Sequence, residues 1–247
     1  MFKTGAGRSP SLRGMTFEGK TAVVTGGSRG IGRAVVRRLA EGGARVLYTY
    51  ARSPGEPVGG AEAVHADQSD PAAVQTIFDR VRDGFDILVN NAAISSRTPI
   101  AELTDAEIDR MFAVNLRFPL LAIREAIPLL RDGGRIVNLS TLNTVLPAPG
   151  LALYCASKAG LEQLTAVAAR ELGPRNITVN TVSPGATDTD MLRAANPPEA
   201  LEQTATVTAL QRLGRPDDVA AVVAFLASPD AAWITGQNIR ATGGLLV

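Results

Sequence analysis

Two side chains able to exchange protons stand four residues apart in Tyr154-Cys155-Ala156-Ser157-Lys158. On a helix that spacing puts phenol and ammonium on one face. A neighbouring ammonium favours phenolate, so the pair predicts a tyrosine pKa below its reference near ~10. Such a tyrosine can donate or accept a proton in general acid–base catalysis. A Tyr/Lys pair at this spacing also arises by chance, so it needs company. Far upstream lies Thr25-Gly26-Gly27-Ser28-Arg29-Gly30-Ile31-Gly32. A strand, a glycine turn and a helix start are what a dinucleotide pyrophosphate needs. Glycine lets the backbone approach the phosphates, and the helix N-terminus offers free N–H groups and a positive dipole. The spacing is G-x-x-x-G-x-G, not G-x-G-x-x-G, and a mere tight loop could use the same glycines.

The type of dinucleotide is decided ~20 residues after the turn, where an acid would accept from the ribose 2′-OH of NAD. Here the chain reads Tyr50-Ala51-Arg52-Ser53, with no carboxylate before Glu56. A 2′-phosphate then meets no repulsion, and Arg29 and Arg52 offer guanidinium groups suited to it. NADP(H) is favoured and NAD(H) stays open; a solvated surface charge is the other reading of each arginine. Asp67, followed by Gln68, could hold the adenine amino group or cap the turn at Ser69 and Asp70.

These groups need a scaffold. Short β-rich runs alternate with helical stretches, as in stacked βαβ units around a parallel sheet. Strands are expected at 21–25, 45–50, 61–67, 86–90, 135–140, 176–183 and 237–241, the first buried on both faces. Helices are expected at 30–41, with Ile31, Val35 and Leu39 at four-residue spacing, and at 70–83, with Asp70 as N-cap and Pro71 at the first helical position. Others are expected at 104–131, opened by a Thr104/Glu107 capping box, at 151–173, closed by Gly173-Pro174, and at 216–227. Between the second and third strands, SPGEPVGG is too short and broken for a crossover helix, so a loop or single turn is expected. The stretch 194–211 reads as a mobile or helical excursion. No repeat or linker divides 15–247, which reads as one domain.

Composition narrows the function. The 247 residues are 45% apolar and 20% charged, a globular composition. With 25 Lys and Arg against 24 Asp and Glu, the net charge of +1 argues against a nucleic-acid partner. Cys155 and His65 are the single cysteine and histidine, so neither an internal disulfide nor a Cys/His zinc site is expected, and no metal is assigned. The apolar run 219–227 is shorter than the about 20 residues a bilayer requires. The N-terminal stretch carries Lys3, Arg8 and Arg13 without the apolar core of a secretory signal. A cytoplasmic enzyme with no membrane partner is expected. Residues 1–14 are expected to be a mobile, dispensable extension, with the folded unit opening at Met15.

Together, TGGSRGIG at 25–32, NNAA at 90–93, Asn115, YCASK at 154–158 and PGATDTDM at 184–191 resemble the short-chain dehydrogenase/reductase family, in its single-domain branch. The resemblance runs from about Phe17 to the C-terminus. It implies an α/β fold, a doubly wound Rossmann seven-stranded parallel sheet with helices on both faces. It also implies a nicotinamide cofactor and hydride exchange between alcohol and carbonyl. By that resemblance, Tyr154 is the acid/base at the substrate oxygen. Lys158 binds the nicotinamide ribose, and Asn115 holds a relay water behind Lys158. Gly26, Ser28, Gly30, Ile31 and Gly32 fall at the pyrophosphate, Tyr50 near the adenosine ribose, and Asn91, Ala92 and Ala93 beside the cofactor. Ala93 stands where the family has glycine. Pro184, Gly185, Thr187 and Thr189 would line the nicotinamide.

The family's catalytic serine lies thirteen residues before the tyrosine, where this chain has Thr141. Ser140 is adjacent, but strand side chains alternate faces. Thr141 is therefore expected to polarise the substrate carbonyl, its methyl restricting the rotamer. The expected substrate wall, Leu142, Asn143, 149–153 and 191–207, is mostly apolar or small, suiting a small-to-medium neutral carbonyl or alcohol. The resemblance is nearest to 3-oxoacyl-acyl-carrier-protein reductases and implies a homotetramer, with a homodimer as the alternative. Cys155 reads as packing, His65 as structural or surface, and Trp233 as core or interface. A rival reading is a cofactor-binding redox sensor or scaffold without turnover, supported by Thr141 and the short 53–60 loop.

Overall fold

In this computed structural model the described residues are 16–245, so the expectations for 1–14 and the last two residues lie outside them. The strands are β1 (Thr21–Val24), β2 (Arg45–Tyr50), β3 (Ala61–His65), β4 (Phe85–Asn90), β5 (Leu130–Leu139), β6 (Thr178–Pro184) and β7 (Asn238–Ala241). They form one seven-stranded parallel sheet in the order β3-β2-β1-β4-β5-β6-β7. Alternation sorts the side chains onto two faces. Ala22 and Val24 pack with Val35 and Leu39 of α1 (Gly30–Glu41) and Val219 and Val223 of α8 (Pro216–Ala227). Val23 points the other way, into a core with Ile77, Phe85, Phe118, Ile123 and Leu172. A strand buried on both faces has no polar face to show, hence its apolar run. The strand order reverses between β1 and β4, which opens a crevice beyond the carboxyl ends of the strands.

Local chemistry explains where the elements stop. The 51–60 crossover carries no helix. Tyr48 Oη donates to the Pro54 carbonyl at 3.0 Å, and the Arg33 guanidinium donates to the Glu56 carbonyl. The expected 70–83 helix contracts to α2 (Ala73–Phe78) and a 3₁₀ turn, Asp79–Val81. Asp70 does accept the Ala72 N–H at 2.9 Å, but the Ala73 and Gln75 N–H groups bond three residues back, at 3.1 Å each. The 104–131 pattern breaks into α3 (Asp105–Phe112), a π-helical turn (Ala113–Arg117) and α4 (Phe118–Ala126). Its capping box is present: Thr104 Oγ1 accepts from Glu107 N at 3.3 Å, and Glu107 Oε2 accepts from Thr104 N at 3.1 Å. Leu130 and Arg131 belong instead to β5, where Leu130 pairs with Phe85 before a register shift. The 194–211 excursion is largely helical, with α7 (Pro198–Val207) following the short α6 (Asp190–Ala195). Among the described residues, no helix is long and apolar enough to cross a membrane.

Candidate active site

A cleft of about 410 Å³ occupies the crevice. One end is the glycine turn. Gly26 (φ 68°) and Gly30 (φ 55°) hold left-handed backbone that side chains disfavour. Gly32 is needed for space: a Cβ there would stand 2.2 Å from the Gly26 carbonyl oxygen. Behind the turn α1 begins at Gly30, with no side-chain cap from Arg29 and no acid in its first turn. Its unsatisfied N–H groups and positive dipole end are free to meet an anion in the cleft. Asn91 locks the cradle, its amide donating to the Thr25 and Gly26 carbonyls at 2.9 and 3.0 Å. The Ala92 N–H adds a bond to Thr25 Oγ1 at 3.2 Å. Ala93 lines the cleft without a positive φ, so its methyl adds no backbone strain.

Ser28, Arg29, Ile31, Tyr50, Arg52, Asp67 and Gln68 also line this half. Arg29 faces the exposed Asp190 at 3.6 Å. Asp67 Oδ1 accepts the Ser69 N–H at 2.9 Å and its hydroxyl at 2.8 Å, bonds that hold the carboxyl below its usual range. Asp67 thus both caps the turn and lines the cleft. Gln68 is only 6% exposed, yet its amide nitrogen and oxygen find no partner among the described residues. An orphaned buried polar group costs about 1–3 kcal/mol, so a polar ligand that completes it is favoured. The cradle, the uncapped helix and this amide fit a dinucleotide.

At the other end Tyr154 and Lys158 sit one turn apart on α5 (Ala152–Leu172), both lining the cleft. The expected lowering of the tyrosine pKa is reversed. Burial pushes Tyr154 up to about 12, against a hydrogen bond with Thr141 that draws it down. The lysine, 2% exposed, donates from Nζ to the Leu139 carbonyl at 2.7 Å. Burial drags it down to about 8, with the Glu162 charge acting upward. Desolvation is the largest cause of both shifts. The phenol is left as a proton donor at neutral pH.

The two adjacent hydroxyls part company. Thr141 is the neighbour whose hydroxyl draws the Tyr154 pKa down against burial. Thr141 Oγ1 also donates to Asn143 Oδ1 at 3.1 Å and accepts the Asn143 N–H at 3.2 Å. Ser140 Oγ donates instead to Glu162 Oε1 at 2.6 Å. Asn115 is fully buried rather than facing solvent. Its amide nitrogen donates to the Ile94 carbonyl at 2.9 Å and lies 3.1 Å from Ser157 Oγ, while its oxygen accepts the Ile94 N–H at 2.9 Å. Four residues on, Pro119 has no N–H to give the Asn115 carbonyl.

Pro184 and Thr189 line the cleft, whereas Gly185 and Thr187 do not. The Gly185 N–H bonds the Ala241 carbonyl at 3.0 Å, and Thr187 Oγ1 donates to the Gly185 carbonyl at 3.1 Å, so these two shape the turn. Thr189 caps α6, accepting the Leu192 N–H at 3.3 Å. Leu142, expected on the substrate wall, is buried. Arg110 on α3 lines the cleft although nothing in its local sequence marks it; only its helical spacing to Val114, another lining residue, hints at it. Glu162, one turn after Lys158, was equally silent. Cys155 points its thiol at the Asn143 carbonyl (3.2 Å), and burial raises its pKa, consistent with packing. His65 meets the edge of Tyr50 with centroids 5.4 Å apart, a structural role. Trp233 is fully exposed and so is not core.

Comparison with known proteins agrees in extent and fold. The model of the Enoyl-(Acyl carrier protein) reductase family matches residues 26–246. The 3-oxoacyl-[acyl-carrier-protein] reductase FabG of Escherichia coli is 37% identical over 242 residues, covering 94% of this chain and 99% of its own. A short-chain dehydrogenase/reductase from Serratia marcescens superposes with a TM-score of 0.85 at 40% identity, covering 93% of this chain and 98% of that one. A blue fluorescent protein from a metagenomic library, solved with NADPH, gives 0.86 at 38% identity, covering 94% and 100%.

Proposed function

This chain belongs to the short-chain dehydrogenase/reductase family of oxidoreductases, and on that footing we propose an NADP(H)-dependent enzyme that interconverts a carbonyl and a secondary alcohol. One observation carries the reading: a single cleft has a phosphate-type cradle at one end and Tyr154 with Lys158 at the other. When bound, NADP(H) supplies or takes up the hydride at its nicotinamide ring. The chain's own residues handle the rest. The α1 N-terminus and glycine turn hold the pyrophosphate, and Gln68 and Asp67 face the adenine end. Arg29 and Arg52, with no acid closing β2, favour the 2′-phosphate. The NADPH bound by the blue fluorescent relative supports that preference.

In reduction, Tyr154 gives its proton to the substrate oxygen while the Thr141 hydroxyl polarises that oxygen. Lys158 returns a proton to Tyr154, and a water held at the Asn115 carbonyl replenishes it. Oxidation runs the same transfers backwards. The substrate is a small-to-medium neutral ketone, aldehyde or 3-oxoacyl group, because among the described residues no cluster of cations faces the mouth. Leu120 on α4, Val167 on α5 and Phe225 on α8 expose apolar surface, which fits a homotetramer, or else a homodimer. A cytoplasmic enzyme of small molecules, with no nucleic-acid or membrane partner, completes the reading.

The test is NADPH and NADH oxidation against ketones, aldehydes and β-ketoesters, with light scattering for the assembly. Turnover with NADPH preferred is the expected result. Tight NADPH binding without turnover on the whole panel would return the chain to a non-catalytic cofactor-binding role.

A further inference from the structure

Ser140, the hydroxyl turned away from Tyr154, has a definite partner. Its 2.6 Å bond to Glu162 Oε1 has the length of a charge-assisted O–H···O contact. Thr144 Oγ1 lies 2.9 Å from the same oxygen and 3.1 Å from the Thr141 carbonyl. It has one proton to give, and Glu162 is the nearer, charged acceptor. Ser183 Oγ lies 3.5 Å from Glu162 but donates to Asn238 Oδ1 at 2.7 Å. One half-buried carboxylate therefore gathers the end of β5 and the turn after it, and borders the end of β6. Glu162 follows Lys158 by one helical turn, on the same face of α5. The lysine is bonded to the carbonyl of Leu139, the residue before Ser140.

We propose that Glu162 is a positioning residue for the Tyr154–Lys158 pair. It ties the end of β5 to α5, so that Thr141 meets Tyr154 and the Leu139 carbonyl meets Lys158. Its negative charge holds Lys158 in the ammonium form. This rests on the functional reading above. The groups facing Lys158 are few. Its own helix offers Tyr154 and Glu162, with Cys155 turned to the Asn143 carbonyl. β5 offers the Leu139 carbonyl, and the π-turn offers the neutral Asn115, bound to Ile94 and Ser157. The charged side chains elsewhere along the cleft are Arg29, Arg52, Asp67, Arg110 and Asp190. Of the charged side chains among these, Glu162 is the one that acts on the lysine, upward against burial.

The chain has only three lysines, Lys3, Lys20 and Lys158, so ¹⁵N-lysine labelling can follow the Lys158 ammonium, assigned with Lys158→Met. Glu162→Gln keeps the size and one accepting oxygen but removes the charge. It should lower the Lys158 midpoint by about half a pH unit or more and move the alkaline limb of kcat by the same amount, with NADPH affinity within about twofold. Glu162→Asp should return the midpoint toward wild type. An unchanged midpoint and an unchanged pH profile overturn the proposal. Should Glu162→Gln not fold, the Ser140→Ala/Thr144→Val variant keeps the carboxylate and removes its anchors. Its kcat should fall about tenfold with KM little changed, and wild-type kcat would overturn the anchoring. If wild type reduces no carbonyl while Lys158 still responds to Glu162→Gln, the functional reading fails and the coupling stands.

Discussion

The two ends of the cleft are built differently. The nucleotide end is mostly backbone: left-handed glycines, an uncapped helix, and Asn91 bonded to main-chain carbonyls. The other end is mostly side chain, with Tyr154, Lys158 and the 40% exposed Met191 lining it. A cradle made of backbone tolerates little change, because an added atom has nowhere to go. A mouth made of exposed side chains can change without disturbing the chemistry beneath it. That division lets one cofactor serve substrates selected at the other end.

Substitutions can break or sharpen the contrast. The largest effect is expected between the two ends, where Tyr154→Phe should cut kcat about 10³-fold while leaving NADPH affinity within about twofold. Within the cradle, Gly32→Ala sets a methyl against the Gly26 carbonyl and should weaken NADPH binding at least about tenfold, read by calorimetry. Thr141→Ala should cost about tenfold or more in kcat and Thr141→Ser about nothing, whereas Ser140→Ala should cost less than Thr141→Ala. Full activity in Thr141→Ala with none in Ser140→Ala would reverse their roles. At the mouth, Met191→Ala should change KM for bulky substrates only about two- to fivefold and leave kcat for small ones alone.

The pH dependence follows from the two desolvated groups, Tyr154 and Lys158. In the proposed reaction, reduction uses the protonated phenol, which a pKa of about 12 keeps available. Its rate should be flat through neutrality and fall above the lysine value of about 8. Oxidation needs phenolate and should rise with pH. For stability the signs differ. Lys158 is lowered on folding, so between about 8 and its unfolded value the unfolded chain holds more protons, and stability rises with pH. Tyr154 is raised, so from its unfolded value to about 12 the unfolded chain ionises first, and stability falls. Urea unfolding of wild type against Lys158→Met and Tyr154→Phe across each window checks both signs.

Much of this was readable from residue types. The unbroken apolar run of a strand buried on both faces identified β1, and glycine spacing identified the cradle. The thirteen-residue offset from Tyr154 pointed to Thr141, and strand alternation set Ser140 aside. Where reading failed, tertiary context had overridden a local signal. Leu129 and Leu130 continue a helical apolar spacing, yet the edge of β4 captures Leu130 as strand. Asp70 caps its turn, but the bonds that follow are 3₁₀. The sign of the Tyr154 shift was lost because spacing reveals proximity and not desolvation. Gly185 and Thr187 match their motif and serve the turn rather than the cleft. Arg110 and Glu162 were missed because an isolated charge on a helix carries no sign of what the fold brings to it.

The most direct test is the fate of a label. NADPH deuterated at nicotinamide C4, on each face in turn, would be incubated with a ketone the enzyme reduces, and the alcohol examined by mass spectrometry. Deuterium on the carbinol carbon from one face alone, appearing about 10³-fold more slowly in Tyr154→Phe, is the expected result. Alcohol without deuterium from either face, or undiminished transfer in Tyr154→Phe, would contradict a cleft in which the cradle and the Tyr154–Lys158 pair serve one reaction.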